Sequence, residues 1–351
     1  MADEDLIEDE AAAGPRQFHI AEWYGRPFLD LTDAERLELA NFRPTGKMLT
    51  KSEMDRIVNL RAKTVLSPTE QIRLTALESR LEALQTTQQR CPFRTDNPFP
   101  FCTKVGGVCS MRVYEADGDT ISAVEGDRGY LRAMCPYRFH EGNAVFCDIG
   151  QELLNDPSPH QAGEVGFLES TGNLDSAPGE DVGRIDMVLV GTTAPPGHPL
   201  EWCAVEIQAV YFSGREMGIE FRAMRDSGGR ATMPAARRRP DYRSSGPKRL
   251  MPQLQTKIPT LRRWGKKMIV VVDEAFFQSM GYMEHVPEIS NSDVVWWLVD
   301  FVRDAPGEPF RLVTTRQVYT TLERAIEGLT GGNPVAKSEF EHRIRIKLDT
   351  P

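Results

Sequence analysis

A carboxylate in the middle of an apolar strand is costly to bury unless a positive charge stands opposite it. The stretch from Gly183 to Phe212 presents two such acids, one on either side of a short turn. Its first run, GRIDMVLVG, carries Asp186, and its second, EWCAVEIQAVYF, carries Glu206 and Gln208. The Pro/Gly-rich TTAPPGHP between them reads as a turn, so the two aliphatic runs are expected to be neighbouring strands of one sheet. Strand side chains alternate, which places Glu206 and Gln208 on one face and sends Val205, Ile207 and Ala209 into the opposite layer. A divalent cation shared by Asp186 and Glu206 would neutralise the pair, and hard ions such as Mg²⁺ take oxygen ligands of this kind.

A chain of 351 residues with 26% charged and 40% hydrophobic side chains has the composition of a soluble globular protein of one large or two ordinary domains. No apolar run approaches the roughly 18 residues of a membrane span. The opening MADEDLIEDE is acidic and lacks the basic start of a signal peptide. The expectation is a cytoplasmic protein without a membrane partner, in which the six cysteines serve as metal ligands or buried thiols rather than disulfides. The net charge of −9 is unevenly spread: residues 222–267 hold fourteen Lys/Arg against Asp226 and Asp241, which makes that segment +12 and leaves the remainder at −21. A positive block inside an acidic chain is the footprint of a polyanion-binding segment, with a solvated basic loop as the other reading.

In chain order, residues 1–14 have the composition of a disordered acidic tail. The aromatic Phe18–Leu29 reads as a packed arm or first ordered element. Thr32-x-x-Glu35 and Ser52-x-x-Asp55 signal helix starts, the first running to about Phe42. Ser67-Pro68-Thr69-Glu70 opens a helix to about Gln89, with Leu74, Leu77, Leu81 and Leu84 on one stripe. Residues 44–90 are then either a helical hairpin packed on its own domain or a dimer contact. Cys91, Cys102, Cys109 and Cys135 follow at spacing C-x10-C-x6-C-x25-C. Two of them precede proline, and Gly106-Gly107 lies just before Cys109, as the tight turns of a thiolate cage require. Four thiolates suit zinc or iron in a closed, structural site. Cys203 is expected to be a core thiol facing away from Glu206. The six histidines show no ligand spacing such as H-x3-H, and none is given a role. Beyond the basic block, a helix over Pro252–Trp264, a buried strand in KKMIVVVDEAFF, strands at Val294–Arg303 and Phe310–Thr315, a helix over Gln317–Leu329 and a final edge strand are expected.

The spacing D-x19-E-x-Q of Asp186, Glu206 and Gln208 resembles the PD-(D/E)xK nuclease core with glutamine in the lysine position. AGEVGF, RIDMVLV and VEIQAVYFSG, together with FHIAEWYGRPF, CPF, GGVCSM and CPYR, resemble the NotI-like type II restriction endonucleases over residues 17–29 and 91–270. The resemblance implies an α/β fold. Residues 151–351 would be a PD-(D/E)xK restriction-endonuclease-like mixed sheet flanked by helices, and residues 15–150 an N-terminal helical and four-cysteine metal-binding region. It also implies that Glu164 is an additional acid of the catalytic site and that the cysteine site holds iron.

The expected activity is Mg²⁺-dependent hydrolysis of double-stranded DNA that leaves 5′-phosphates, with Asp186 and Glu206 as ion ligands and Gln208 orienting water or a phosphate oxygen. Cutting both strands of a palindrome calls for a homodimer. Arginine-rich readout leans towards G·C-rich sites, and a paired DNA methyltransferase is expected. The alternatives are a structure-specific repair nuclease on the same core and a non-catalytic DNA-binding regulator built on the cysteine-bound metal.

Overall fold

The computed structural model describes residues 16–94, 97–172, 177–192, 197, 199–332 and 335–349. The acidic tail 1–14, the turn residues 193–196 and His198 lie outside them. The chain enters as a strand, β1 (Gln17–Trp23), and turns tightly into β2 (Arg26–Pro27). Three helices follow: α1 (Asp33–Asn41), α2 (Lys51–Arg61) and α3 (Pro68–Thr87). The capping boxes Thr32/Glu35 and Ser67/Glu70 open α1 and α3 as expected. The cap of helix α2 lies two residues before the expected Ser52. Thr50 caps it, because Glu53 is one methylene longer than Asp55 and reaches back to the Thr50 N–H at 2.8 Å. The leucine stripe of α3 is buried against Ile57 and Leu60 of α2 and against Phe99 and Phe101.

The cysteine-bearing segment builds a small antiparallel sheet. Strand β3 (Val108–Asp117) pairs with β1 on one edge and with β4 (Thr120–Ala123) and β5 (Arg132–Ala133) on the other. The Gly106-Gly107 turn ahead of β3 has positive φ at both residues, 83° and 67°. A side chain at Gly107 would strike the Tyr24 ring, 2.2 Å from where its Cβ would lie. Helix α4 (Ala144–Leu154) leads into the larger sheet.

That sheet receives β6 (His160–Glu169), β7 (Asp181–Val190) and β8 (Trp202–Ile207) as an antiparallel run. The basic segment then crosses over through β9 (Phe212–Ser213), α5 (Gly218–Asp226), β10 (Arg239–Pro240), α6 (Tyr242–Ser245), a π-helical turn Gly246–Leu250 and α7 (Met251–Arg263). Strand β11 (Met268–Asp273) returns parallel to β8. After α8 (Glu274–Gln278), β12 (Val294–Val302) is parallel to β11, and β13 (Arg311–Thr320) closes the sheet antiparallel. The resulting order is β13-β12-β11-β8-β7-β6. All of β11 is buried, with parallel neighbours on both sides, which is why its apolar run does not alternate.

Three layers result. Helices α7 and α8 and helix α9 (Leu322–Thr330) cover one face, with Leu254, Ile258, Phe276 and Ala325 against Ala204, Val270 and Trp296. Val145, Phe146 and Ile149 of α4, with Ala21 and Ala133 of the small sheet, cover the other against Cys203, Val205, Val271 and Trp297. Two C-terminal expectations fail. Residues 317–320 extend β13 rather than starting a helix, which begins at Leu322 under a Thr321 cap. The tail is not an edge strand but helix α10 (Lys337–Asp349), laced by Lys337–Glu341 and Arg343–Glu339 pairs at helical i,i+4 spacing.

Candidate active site

The ladder register lines up three acids. Met187 faces Val205 across β7 and β8, while Gly163 and Val165 face Met187 and Ile185 across β6 and β7. By the same register Asp186 stands between Glu206 on one side and Glu164 on the other. Glu206 is the innermost, 1% exposed and level with Val270 of β11. Asp186 and Glu164 are open to solvent. Glu164 drops out of the ladder with φ 55°, a left-handed backbone that a non-glycine residue rarely adopts. Backbone strain of this kind persists only where surrounding structure imposes it, and it concentrates at functional sites.

Lys257 of α7 meets this row from the helical layer. Its Nζ donates to Glu206 Oε2 at 2.6 Å, to Gln253 Oε1 at 2.6 Å and to Asp186 Oδ1 at 3.3 Å. Burial pushes the Glu206 carboxyl up to about 7; Lys257 pulls it back and Asp186 pushes it further up. Asp186 and Glu206, which share the Lys257 ammonium, are hard oxygen donors of the type that fits a divalent cation, while the Glu164 carboxylate is drawn aside to Lys51. Sequence reasoning counted Lys257 among the basic cluster and missed its place here. A signal was present: Leu254, Lys257, Ile258 and Leu261 recur at i, i+3, i+4, i+7, so the lysine sits on the apolar stripe of its helix.

Gln208 lies one residue beyond the end of β8 and is buried. Its backbone N–H donates to Val271 and its side-chain amide donates to the Ala209 carbonyl at 2.6 Å. Glu164 pairs with Lys51 at the first turn of α2, and Arg184 lies 3.8 Å away. The hydrogen bond from Lys51 is the main cause that holds the Glu164 carboxyl below its usual range. The helical segment 44–90 therefore reaches the acid row, a contact that no local sequence pattern announced.

Cys91, Cys102 and Cys109 meet in one small cluster with Phe93 and Tyr137, and the Cys135 N–H donates to the Cys109 carbonyl. Burial pushes all four thiols up, Cys102 to about 11. Among the described residues, no three His, Cys, Asp or Glu side chains close on one point as the ligands of an ion would. Beside this cluster, Arg138 and Glu22 form a fully buried ion pair at 2.9 Å that ties the first strand to the CPYR turn.

The basic segment is not one free cationic face. Arg238 is buried against Glu220, and Arg225 donates to the Ala40 carbonyl. Arg262 pairs with Asp293 and Glu323, and Lys267 caps carbonyls of Ser290 and Ser292. Arg16, Arg237 and Arg239 line a cavity of about 540 Å³ with Phe18.

A family model described as restriction endonuclease NotI matches residues 75–312. No curated protein matches the chain. No helix among the described residues is long and apolar enough to cross a membrane.

Proposed function

The chain belongs to the NotI restriction endonuclease family, and from that membership we propose a mechanism for its site. It is a type II site-specific deoxyribonuclease acting on double-stranded DNA, and its mixed α/β sheet fits a restriction-endonuclease-like fold. Our reading is that Asp186 and Glu206, with Glu164 as the additional acid, hold the catalytic Mg²⁺ on a PD-(D/E)xK core. Bound there, a divalent ion would lower the pKa of a water, polarise the phosphoryl oxygen and offset charge on the leaving 3′ oxygen. The observation that carries this reading is that Asp186 and Glu206, brought level by the register of β7 and β8, share the Lys257 ammonium. Asp186 and Glu164 face the open side, where a phosphodiester can approach, while Glu206 anchors the row from beneath. Gln208 is a neutral amide at the strand end and has an orienting role.

The rest of the reading concerns the assembled enzyme. A homodimer presents one such row to each strand of a palindrome and leaves 5′-phosphates. The arginines that are not engaged inside the protein contact guanines and phosphates of a G·C-rich site, and a cognate methyltransferase protects that site in the host. Cys91, Cys102, Cys109 and Cys135 would hold a structural iron or zinc, a proposal supported by the packing of the first three in one small cluster and by the backbone bond that ties Cys135 to Cys109.

Digestion of a phage genome tests the catalytic reading. Discrete fragments are expected in Mg²⁺ and none in EDTA, with fragment ends that share one G·C-rich palindrome. Asp186→Ala is expected to bind the same DNA in Ca²⁺ and leave it uncut. An Asp186→Ala protein that cuts like the wild type sinks the site assignment.

A further inference from the structure

We infer that Lys257 is the cation of the reacting centre. In this role it is a catalytic residue whose ammonium turns one N–H from Asp186 to a non-bridging oxygen of the scissile phosphodiester. The inference rests on the reading of Asp186 and Glu206 as the catalytic acids.

The apolar stripe of α7 calls for a leucine or isoleucine at position 257, between Leu254 and Ile258 on one side and Leu261 on the other. An ammonium only 5% exposed is held at that position instead. Such a charge is tolerated only when its three N–H groups find acceptors. All three do, and they are unequal. The two 2.6 Å bonds run to buried Glu206 and to Gln253 one turn back on the same helix. The third, at 3.3 Å, runs to Asp186, whose side chain is 58% exposed. The weakest bond is therefore the one on the open side, and it can be exchanged for a bond to substrate while the other two keep the ammonium in place.

Hydrolysis of a phosphodiester builds negative charge on the non-bridging oxygens, and a fixed cation in a water-poor site stabilises that charge. Gln208 cannot supply it: its amide is neutral and already donates to the Ala209 carbonyl. The competing account makes Lys257 a counter-ion that keeps two acids together until a divalent ion replaces it. The two accounts differ in what happens when the charge is removed.

The test uses the full chain with Lys257→Met, and Lys257→Gln as the variant that keeps a donor for Glu206. Single-turnover cleavage in Mg²⁺ is expected to fall at least about 100-fold, with the DNA still bound in Ca²⁺. A second readout needs no metal. In EDTA, replacing the scissile phosphate by a neutral methylphosphonate is expected to weaken binding by the wild type and not by Lys257→Met. The proposal is overturned if either variant cleaves at the wild-type rate, or if the methylphosphonate affects wild type and Lys257→Met equally. Should Lys257→Met fail to fold, Lys257→Gln carries both measurements. A wild-type protein that cuts no DNA, or an active Asp186→Ala, would instead overturn the underlying site. Failure of the present inference alone leaves the wild type active, Asp186→Ala dead and Lys257→Met active.

Discussion

Glu164 holds a backbone conformation that its side chain disfavours, at φ 55°, in the middle of a strand. If strain is retained there for the sake of the carboxylate, Glu164→Gly separates the two. Glycine enters the left-handed region freely, so the variant is expected to be as stable as the wild type or up to about 1 kcal/mol more stable. The exposed pair with Lys51 contributes little that could be lost. Cleavage is expected to drop at least about tenfold, because an additional ligand or water-holding group has gone. Undiminished cleavage would remove Glu164 from the site. The residues of the acid row were legible in the sequence for one physical reason: an acid inside an aliphatic run is expensive and needs a cause. Lys257 was not, because what makes it unusual is a pairing 51 residues back in the chain. Its presence on an apolar stripe was visible, but the acids it answers lie on other elements. Gln208 shows the opposite case. Its alternation with Glu206 was readable, yet the strand ends at Ile207, and its amide turns to the next carbonyl.

At the level of elements, local chemistry decided most of what could be foreseen. Capping boxes fixed the starts of α1 and α3, and a leucine stripe fixed the buried face of α3, because both signals live within one or two turns. Where two local signals competed, length of reach settled the outcome, as Glu53 did against Asp55 at the start of α2. The C-terminal helix was misread because alternating Arg343, Arg345 and Lys347 obscured the i,i+4 charge pairs that support a helix. The cysteine segment is the element whose chemistry is still to be measured. As isolated, the protein is expected to contain one iron or zinc per chain. Cys109→Ser is expected to lose that metal together with part of the melting temperature, since closing a loop-rich segment on an ion stabilises its fold. Elemental analysis that finds neither metal would turn the four thiols into ordinary core cysteines.

Across the whole molecule, buried imidazoles and buried carboxylates pull stability in opposite directions as the pH falls. His19 is 1% exposed, and its Nδ1 has no hydrogen-bond partner among the described residues. Burial holds its pKa down at about 4; Glu220 raises it, while Arg238 and Arg36 lower it. His140 is lowered to about 4 as well, again chiefly by burial. A depressed pKa means the unfolded chain takes up the proton first. The stabilisation is therefore complete above about pH 6.5 and is lost as the pH falls towards 4, by roughly 3 kcal/mol for His19. Between pH 7 and 4 the urea midpoint of the wild type is expected to fall relative to that of His19→Gln. Equal slopes would show that other groups govern the acid limb. Asp273 works in the other direction, since burial raises it to about 7 and its contribution fades as the pH rises from about 4 through that value. Finally, the family match begins at residue 75, inside α3, whereas the first strand and Glu22 precede it. Excising the matched stretch as a minimal enzyme would leave one margin of β3 bare and maroon the guanidinium of Arg138, whose remaining acid, Glu141, lies only at the rim of that interior. The length of chain by which the molecule is recognised is thus shorter than the length that can stand unaided.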